Sequence, residues 1–353
     1  NKMDLFLNVF EEHINQVYTK LREIIERDRD PGECIALLYD EFVKIGGFSE
    51  ELIKDNILNK NNEIINKLRD MEKIKILADS TCDLSDELIM ENDISLIPFY
   101  VTLGEERYRD RETLTTSKLY QYVDEHGELP KTSAPTPEDY RRFFQQYVEE
   151  GYQIIYICIS SDFSSGYQNA CLAAREFAEG QVDVVDSRNL STGIGLLVMK
   201  AVDLLKAGKS KAEIVNHLNE IIPLVRTAFI IDNMDYLHKG GRCTSLQKFL
   251  GNMLKFRVEI RVLEGKMEAA SRIRGSKIKA YDKLINNLKE DLPNVDKTRV
   301  FVTHSMEDEG AEYLKEELAN LNHFSEILET KAGCVISSHC GPGTIGVLYI
   351  KSK

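Results

Sequence analysis

The sequence predicts a two-domain α/β protein with a mostly parallel sheet, a second α/β region that contains antiparallel strands, and a helical segment in front of both. From residue 71 onward, apolar and β-branched runs alternate with stretches of helical pattern, which is typical of parallel strands joined by helical crossovers. Two alternating runs flank Glu264 and Gly265, which predicts a hairpin. Before residue 71 the pattern is helical throughout.

The first 70 residues form the predicted helical extension. Apolar residues recur there at steps of three and four, from Leu5 and Phe6 to Leu21 and Ile24, so one helical face is apolar. No residue pattern in this segment indicates chemistry, and we expect it to serve packing or self-association, such as a homodimer contact. The predicted domains are therefore 1–70, 71–231 and 232–353.

The strands and helices of the α/β region follow from the pattern of apolar residues. The predicted strands are KIKILADS, SLIPFYVTL, QIIYICIS, VDVVDS, TAFIIDN and RVFVTHS. The predicted helices between them are TTSKLYQYVDEHG, PEDYRRFFQQYVEEG, YQNACLAAREFAEG, GIGLLVMKAVDLLKAG and SKAEIVNHLNEIIPLV. Pro137 suits the first turn of its helix, and Thr136 is the candidate N-cap.

Composition and charge exclude several classes of protein. The chain has 353 residues and a net charge of -13, which argues against nucleic acid as the main partner. No run is long and apolar enough for a membrane span, and we expect a cytoplasmic protein. Its seven cysteines are scattered without a C-x-x-C pair, which favours reduced thiols and no metal site. Residues 238–279 differ, with eleven basic and three acidic residues.

Hydroxyl residues follow successive predicted strands. They occur in ADSTCDLSD, SSDFSSGYQNA and DSRNLSTGIG, and again in KTSAPTPEDY, which enters a helix. Ligands of an open parallel sheet bind outside the carboxyl ends of its strands. Hydroxyls and helix N-termini suit an anion, and no phosphate-binding G-x-x-x-x-G-K-[ST] loop is present. The sequence therefore predicts a site for a small anionic group such as a carboxylate.

Two other motifs have weaker support. Gly341, Gly343 and Gly346 spell G-x-G-x-x-G, but GVLYIK after them has the pattern of a strand, whereas a dinucleotide loop needs a helix. DFSSG approximates the nucleophile turn of a serine hydrolase, with Asp162 in place of the first glycine. An esterase that uses Ser164 is the alternative function, with His339 or His304 and Asp186 as partners.

Seven strings, in order, resemble the DegV family of bacterial fatty-acid-binding proteins: ADSTCDL, KTSAPTP, ISSDFSSGYQNA, VVDSRNLSTGIG, MDYLHKGGR, SRIRGSKIKA and SSHCGPGTIG. The resemblance covers residues 73–353. It implies a protein that holds a long-chain fatty acid between two domains and presents it to a separate fatty acid kinase. That partner uses ATP to form an acyl phosphate, so the chain itself is not an enzyme and needs no cofactor.

The resemblance also implies roles for particular residues. Thr132 and Ser164 match the positions that hydrogen-bond the carboxylate, and His339 matches a histidine of the same network. Phe163 stands where leucine is frequent and is expected to affect which acyl tail fits. Supporting positions near the site are Ser80, Ser133, Ser165, Asp186 and Ser187.

The resemblance also implies two arginine positions associated with the kinase and with phosphate. Arg242 follows the two glycines of KGGR, and Arg274 lies in SRIR. Arg272 in the same string is the other candidate for the second position.

Overall fold

The computed structural model describes residues 73–243, 245 and 256–352. The helical extension predicted over residues 1–70 lies outside the described residues. The chain divides into two compact units, of which the larger comprises residues 74–203 and 211–353. The sheets and the site below belong to this larger unit.

The described strands follow the apolar runs of the sequence. In chain order they are β1 (Ile74–Asp79), β2 (Ser95–Ile97), β3 (Tyr100–Leu103), β4 (Glu106–Arg109), β5 (Lys131–Ser133), β6 (Gln153–Cys158), β7 (Val182–Asp186), β8 (Val225–Ile231), β9 (Arg257–Leu263), β10 (Lys266–Ile273), β11 (Arg299–Ser305), β12 (Glu326–Lys331) and β13 (Thr344–Ile350).

The α-helices of the described residues alternate with these strands. They are α1 (Asp86–Glu91), α2 (Thr116–His126), α3 (Pro137–Glu149), α4 (Gly166–Ala174), α5 (Thr192–Lys206), α6 (Lys211–Ile221), α7 (Met234–Gly240), α8 (Lys277–Asp291), α9 (Asp308–Asn320) and α10 (Cys334–Cys340). Within the part of the chain that the structure describes, no helix has the length and apolar composition needed to cross a bilayer.

The first sheet is parallel and confirms the predicted crossover pattern. Its strand order is β2-β1-β6-β7, and each neighbouring pair is parallel. Every residue of β1 is buried, as expected for a strand that is covered on both faces. Tyr140 and Phe144 of α3 and Ala170 of α4 pack with Leu77 and Tyr156 of the sheet. The carboxyl ends of these strands therefore share one edge, where the predicted hydroxyl loops begin.

The run SLIPFYVTL forms two strands, whereas the sequence predicted one. β2 ends at Ile97, and β3 begins at Tyr100 in a separate antiparallel sheet of order β4-β3-β5. Pro98 lies between them, and a proline has a fixed φ and no N–H for a strand ladder. The small sheet pairs Thr132 of β5 with Val101 of β3.

The second sheet has six strands in the order β10-β9-β8-β13-β11-β12. Only the β11–β12 pair is parallel. The predicted hairpin is confirmed: Leu263 pairs with Lys266, and Glu264 and Gly265 between them have φ values of 50° and 85°. The α/β class with one parallel and further antiparallel sheets is as predicted.

β8 bears on the predicted domain boundary. The predicted boundary lies at residues 231/232, yet β8 (Val225–Ile231) pairs with β9 and β13 of the second sheet. Periodicity identifies a strand but does not reveal the sheet in which it pairs. The division of residues 71–353 into two domains remains a prediction.

The two faces of the second sheet have different roles. Helices α8 and α9 cover one face through residues such as Tyr281, Leu284 and Leu314, which pack with Val300 and Val347. Phe229 and Leu348 line a small cavity together with Gly346. Because side chains alternate along a strand, Leu348 points away from the face that Val347 occupies. The second face therefore borders the interior where the site lies.

Helix α3 begins as predicted. The Thr136 side chain accepts a hydrogen bond from the Asp139 N–H, the Asp139 carboxylate accepts one from the Thr136 N–H, and Pro137 lies in the first turn. This capping box satisfies backbone donors that the helix leaves unpaired. It also fixes the end of the chain segment that carries Thr132.

Replacing Thr136 with alanine should lower the free energy of unfolding by about 1 kcal/mol, because the N-cap acceptor is lost. Urea unfolding followed by circular dichroism measures this change. Thr136→Ser is the matched control, since it keeps the hydroxyl and should retain most of the stability. Equal losses for both variants would contradict a role for the hydroxyl cap.

Candidate functional site

The loops at the carboxyl edge of the first sheet are tied to one another. Asp79 at the end of β1 accepts a hydrogen bond from the Ile159 N–H after β6, at 2.7 Å. Asp186 at the end of β7 accepts one from the Ser161 N–H at 3.2 Å. These contacts hold the loops after β1, β6 and β7 together at the edge where the sequence predicted a ligand.

A cavity of about 290 Å³ opens at this edge, and we call it the main cavity. Its wall mixes hydroxyls, two nitrogen-bearing side chains and apolar groups. The polar side chains are Thr132, Ser133, Ser164, Ser165, Arg242 and His339. The remaining wall residues are Phe99, Ala134, Ile159, Phe163, Leu190, Met267, Val335, Ile336 and Cys340.

Thr132, Ser164 and His339 form what we call the head-group cluster. Strand β5, the loop before α4 and the last turn of α10 each supply one member. Thr132 Oγ1 lies 2.8 Å from His339 Nε2, a hydrogen bond between residues 207 positions apart. The structure therefore brings the three predicted carboxylate-binding residues to one cavity.

The His339 ring packs tightly against α7. A Cβ atom at Gly240 would lie 2.5 Å from His339 Nδ1, so a larger residue there would displace the ring. His339 Nδ1 is buried and has no hydrogen-bond partner among the described residues. The bond to Thr132 is accordingly the one polar contact that orients the imidazole within the described part of the chain.

Burial keeps His339 neutral. Desolvation, with a smaller contribution from the positive charge of Arg242, lowers the pKa of His339 to about 4. At neutral pH the ring therefore has one N–H donor and one acceptor nitrogen rather than a charge.

Arg242 lines the main cavity beside His339. Its Nη1 donates to the Gly240 carbonyl at 2.6 Å, and its Nε donates weakly to the Phe163 carbonyl at 3.4 Å. These backbone acceptors hold the guanidinium without neutralising it, so its charge faces the cavity. The two glycines before Arg242 correspond to the end of α7, where Gly241 has a φ of 71°.

Ser164 precedes the first turn of α4. Its Oγ accepts a hydrogen bond from the Gly166 N–H at 3.1 Å, which uses a lone pair and leaves the O–H to donate elsewhere. Ser165 occupies the N-cap position without a side-chain capping bond and also lines the main cavity. Ser133, next to Thr132, is an exposed member of the same wall.

Three of the predicted supporting residues lie behind the wall rather than in it. Ser80 donates to the Asp110 carboxylate at 2.7 Å and accepts a hydrogen bond from the Phe99 N–H at 3.1 Å. Ser187 is buried and bonds the backbone of Asn189. Asp186 accepts hydrogen bonds from the Ser161 and Arg188 N–H groups. All three hold loops whose other residues reach the cavity.

The two arginines of SRIR lie away from the main cavity wall. Arg272 places its guanidinium 4.9 Å from the centre of the Phe256 ring. Arg274 is exposed just beyond the end of β10. Which of them matches the family position remains a prediction.

A second cavity of about 30 Å³, the inner cavity, borders the main one. Leu190, Ile336 and Cys340 belong to the walls of both. On the far side, Phe229 and Leu348 of the second sheet contribute apolar surface. The two cavities together lead from the head-group cluster toward the interior of the molecule.

The C-terminal glycines serve chain packing. A Cβ atom at Gly346 would lie 2.9 Å from Phe229 Cβ, so β13 approaches β8 closely there. Gly341 ends α10 with a φ of 77°, and a Cβ atom there would meet the Tyr236 ring at 2.8 Å. β13 begins at Thr344, directly after Gly343, and contains Gly346, which excludes the strand–loop–helix geometry of a dinucleotide site.

The residues of the alternative hydrolase do not form a triad among the described residues. His339 Nε2 is bonded to Thr132, and His304 Nε2 lies 3.2 Å from Glu329 Oε1. Asp186 accepts from backbone N–H groups instead of a histidine. A serine nucleophile needs a hydrogen-bonded base that is oriented by a third group, and these residues provide no such chain.

Several residues of the cavity were missed by the sequence analysis. Phe99, Ile159 and Met267 line it but occur in apolar runs that are equally typical of a core. Phe99 follows Pro98, and this break in the strand was the one local signal for it. Nothing in the sequence distinguishes Met267 from other apolar residues of the hairpin.

Comparisons with known proteins agree with this geometry. A family model described as "Uncharacterised protein, DegV family" matches residues 73–352. A DegV domain-containing protein of Clostridium acetobutylicum is 35% identical over 281 residues, which cover 80% of this chain and 99% of the relative. A Thermotoga maritima protein named fatty acid-binding protein is 35% identical over 279 residues, 78% of this chain and 96% of the relative.

A solved structure shows the same fold. The DegV family protein from Thermus thermophilus, described for its fatty acid binding, is similar with a TM-score of 0.75 at 32% identity. The match covers 79% of this chain and 99% of that chain. These similarities and the arrangement above define one class of α/β protein. The chain belongs to the DegV family.

The low pKa of His339 predicts a loss of stability in acid. An unfolded histidine titrates near 6.5, and burial lowers the pKa of His339 to about 4 in the folded protein. Between these values the unfolded chain binds more protons, so the free energy of unfolding falls as the pH is lowered from about 6.5 to about 4. We expect wild type to lose about 2 kcal/mol more than His339→Gln between pH 7 and pH 5.

Urea unfolding at a series of pH values measures this difference. His126→Gln is the matched control, because His126 is an exposed histidine at the end of α2. The control should follow the wild-type pH dependence. Identical pH profiles for wild type and His339→Gln would show that the ring is not held neutral by burial.

Proposed function

We propose that the protein binds a long-chain fatty acid, with its carboxylate on the head-group cluster and its acyl chain directed toward the inner cavity. It then presents the acid to a separate ATP-dependent fatty acid kinase, which forms an acyl phosphate. The observation that carries this proposal is the shared cavity: Thr132, Ser164 and His339 line the same space, and apolar side chains continue from it.

The head-group cluster suits a carboxylate because it supplies hydrogen-bond donors whose directions are set by neighbouring groups. If neutral His339 has its proton on Nε2, it donates to Thr132 Oγ1, and the Thr132 O–H then remains to donate to a ligand oxygen. Ser164 accepts from a backbone N–H and has its own O–H to donate. Two hydroxyl donors can therefore point at one carboxylate, and the imidazole sets the direction of the first.

In this proposal the carboxylate is bound by the neutral side chains of the head-group cluster, which fits an acid that must be released or modified. Hydrogen bonds to a charged group contribute about 1.5–3 kcal/mol each, which is enough to orient a carboxylate. Burial of an acyl chain contributes roughly 0.8 kcal/mol per methylene, so about fifteen methylenes give on the order of 10 kcal/mol before costs. The tail thus provides most of the affinity, while the hydroxyls determine which end lies at the opening.

Relatives support the same ligand class. The Thermotoga maritima relative is named a fatty acid-binding protein, and the Thermus thermophilus structure is described for fatty acid binding. Each of the two matches covers more than nine-tenths of the relative's own length, so the similarity extends over nearly the whole of those proteins.

Arg242 suits the phosphate step. Its charge lies at the cavity wall beside His339, where the phosphoryl group of an acyl phosphate would add negative charge. A planar guanidinium is well matched to phosphate oxygens. Its proposed role is therefore in the encounter with the kinase and its product, and Arg272 and Arg274 are proposed for the same encounter at the surface.

Removing both hydroxyls should release the fatty acid. We expect Thr132→Val combined with Ser164→Ala to weaken palmitate binding by at least tenfold, since two hydrogen bonds to the carboxylate are lost. Isothermal titration with delipidated protein measures the dissociation constant, and lipid extraction with mass spectrometry measures what copurifies. Ser117→Ala, an exposed serine of α2, is the control and should bind as wild type does. Unchanged affinity of the double variant would contradict the assigned head-group cluster.

Arg242→Ala should separate carriage from phosphorylation. We expect this variant to retain palmitate but to lose acyl phosphate formation by at least tenfold when it is incubated with ATP and a purified bacterial fatty acid kinase. Radiolabelled ATP measures the transfer. Arg226→Ala, a substitution in β8 outside the cavity walls, is the control. Wild-type acyl phosphate formation with Arg242→Ala would contradict the role assigned to Arg242.

A further inference from the structure

Two buried carboxylates hold the beginning of α10, the helix that carries His339. Asp83 Oδ1 accepts a hydrogen bond from the Gly333 N–H at 2.8 Å, and Asp110 Oδ1 accepts one from the Cys334 N–H at 2.7 Å. Both aspartates are 1% exposed. Asp83 follows β1 in the chain, 250 positions before Gly333, and Asp110 directly follows β4, 224 positions before Cys334.

The second oxygen of each carboxylate is bonded as well. Asp83 Oδ2 accepts from the Ser191 hydroxyl at 2.6 Å, and Asp110 Oδ2 accepts from the Ser80 hydroxyl at 2.7 Å. Ser191 follows Leu190 of the cavity wall, and Ser80 in turn accepts from the N–H of Phe99, another wall residue. The two carboxylates therefore fix α10 relative to both sides of the main cavity.

There is little room for this arrangement to shift. A Cβ atom at Gly333 would lie 3.2 Å from Asp110 Oδ1 and 3.3 Å from Asp83 Oδ1, so the helix start is packed directly against both groups. At the other end of the helix, the His339 ring has Thr132 as its one hydrogen-bond partner among the described residues. The placement of the imidazole thus depends on where the helix backbone is held.

The carboxylates are poorly explained by stability alone. Burial raises the pKa of Asp83 to about 7, and burial also raises the pKa of Asp110, although Arg111 and several donors act in the opposite direction. A carboxyl group with a raised pKa binds its proton more tightly in the folded protein than in the unfolded chain. For Asp83, the free energy of unfolding therefore falls as the pH rises from about 4 to about 7. Natural proteins retain such groups where function requires them.

We propose that Asp83 and Asp110 are positioning residues of the head-group cluster, which hold the N-terminal N–H groups of α10 and thereby place His339 against Thr132. The role toward a carboxylate ligand rests on the proposed function, whereas the placement of His339 does not. The two aspartates need not contact the ligand.

The test measures the titration of the His339 ring directly. NMR titration of histidine ring protons, with the His339 signal assigned by its loss in His339→Gln, reports how deeply the ring is buried. In Asp83→Ala and Asp110→Ala we expect the His339 pKa to rise by at least one unit toward 6.5, because the ring leaves its place between Gly240 and Thr132. Arg242, the charged group that contributes to the His339 pKa, stays in place in both variants. Palmitate affinity should fall at least tenfold.

Conservative variants and a control separate positioning from general destabilisation. Asp83→Asn and Asp110→Asn keep an acceptor oxygen and should restore both the His339 pKa and the affinity. Leu284→Ala removes a buried side chain under the second sheet and should lower stability while leaving the His339 titration unchanged. Should the alanine variants fail to fold, Asp83→Glu and Asp110→Glu displace the acceptor by one methylene and should shift the His339 titration in the same direction.

Two results would overturn the proposal. One is a folded Asp83→Ala or Asp110→Ala protein whose His339 titration and palmitate affinity match wild type. The other is an asparagine variant that fails to restore the His339 titration, since the effect would then not depend on an acceptor for the helix. If wild type itself binds no palmitate, the proposed function fails, but the histidine titration still decides the positioning role.

Discussion

The hydrogen bond between Thr132 and His339 is the contact on which the site depends. It joins an edge strand of the small sheet to a helix near the end of the chain, so the main cavity has its polar wall only when both segments are correctly placed. A neutral imidazole has one donor and one acceptor nitrogen, so it can orient a hydroxyl without adding a charge of its own. The parallel sheet, the separate small sheet and the anchored helix α10 all act by bringing these two side chains within 2.8 Å.

Local sequence patterns were sufficient for most elements but not for their pairing. The start of α3 followed from Thr136 and Pro137, and the hairpin followed from Glu264 and Gly265, because both are decided by a few neighbouring residues. The strand β8 was also recognisable, yet its partners lie far away in the chain, as in the pairing of Val225 with Ile350, 125 positions later. Hydrophobic periodicity contains no information on such pairing, so the sequence did not indicate that β8 belongs to the second sheet.

The parts of the candidate site that could be predicted are those that lie in short sequence motifs. Thr132, Ser164 and His339 occur in strings that resemble a known family, and the hydroxyls after successive strands predicted a ligand at the sheet edge where the main cavity lies. The apolar walls were not predictable, since Met267 and Cys340 look like core residues until the two cavities are seen. Asp83 occurs in the string ADSTCDL, but its hydrogen bond to Gly333 spans 250 positions and leaves no local signature in the sequence.

In the proposed function, the arrangement separates the source of affinity from the source of orientation. Apolar burial is not directional, so a tail within the cavities can contribute several kcal/mol without deciding which end faces outward. Hydrogen bonds are directional and modest in net energy, and they decide the end that stays near Arg242. A carrier that must present one end of its ligand needs both properties in one cavity.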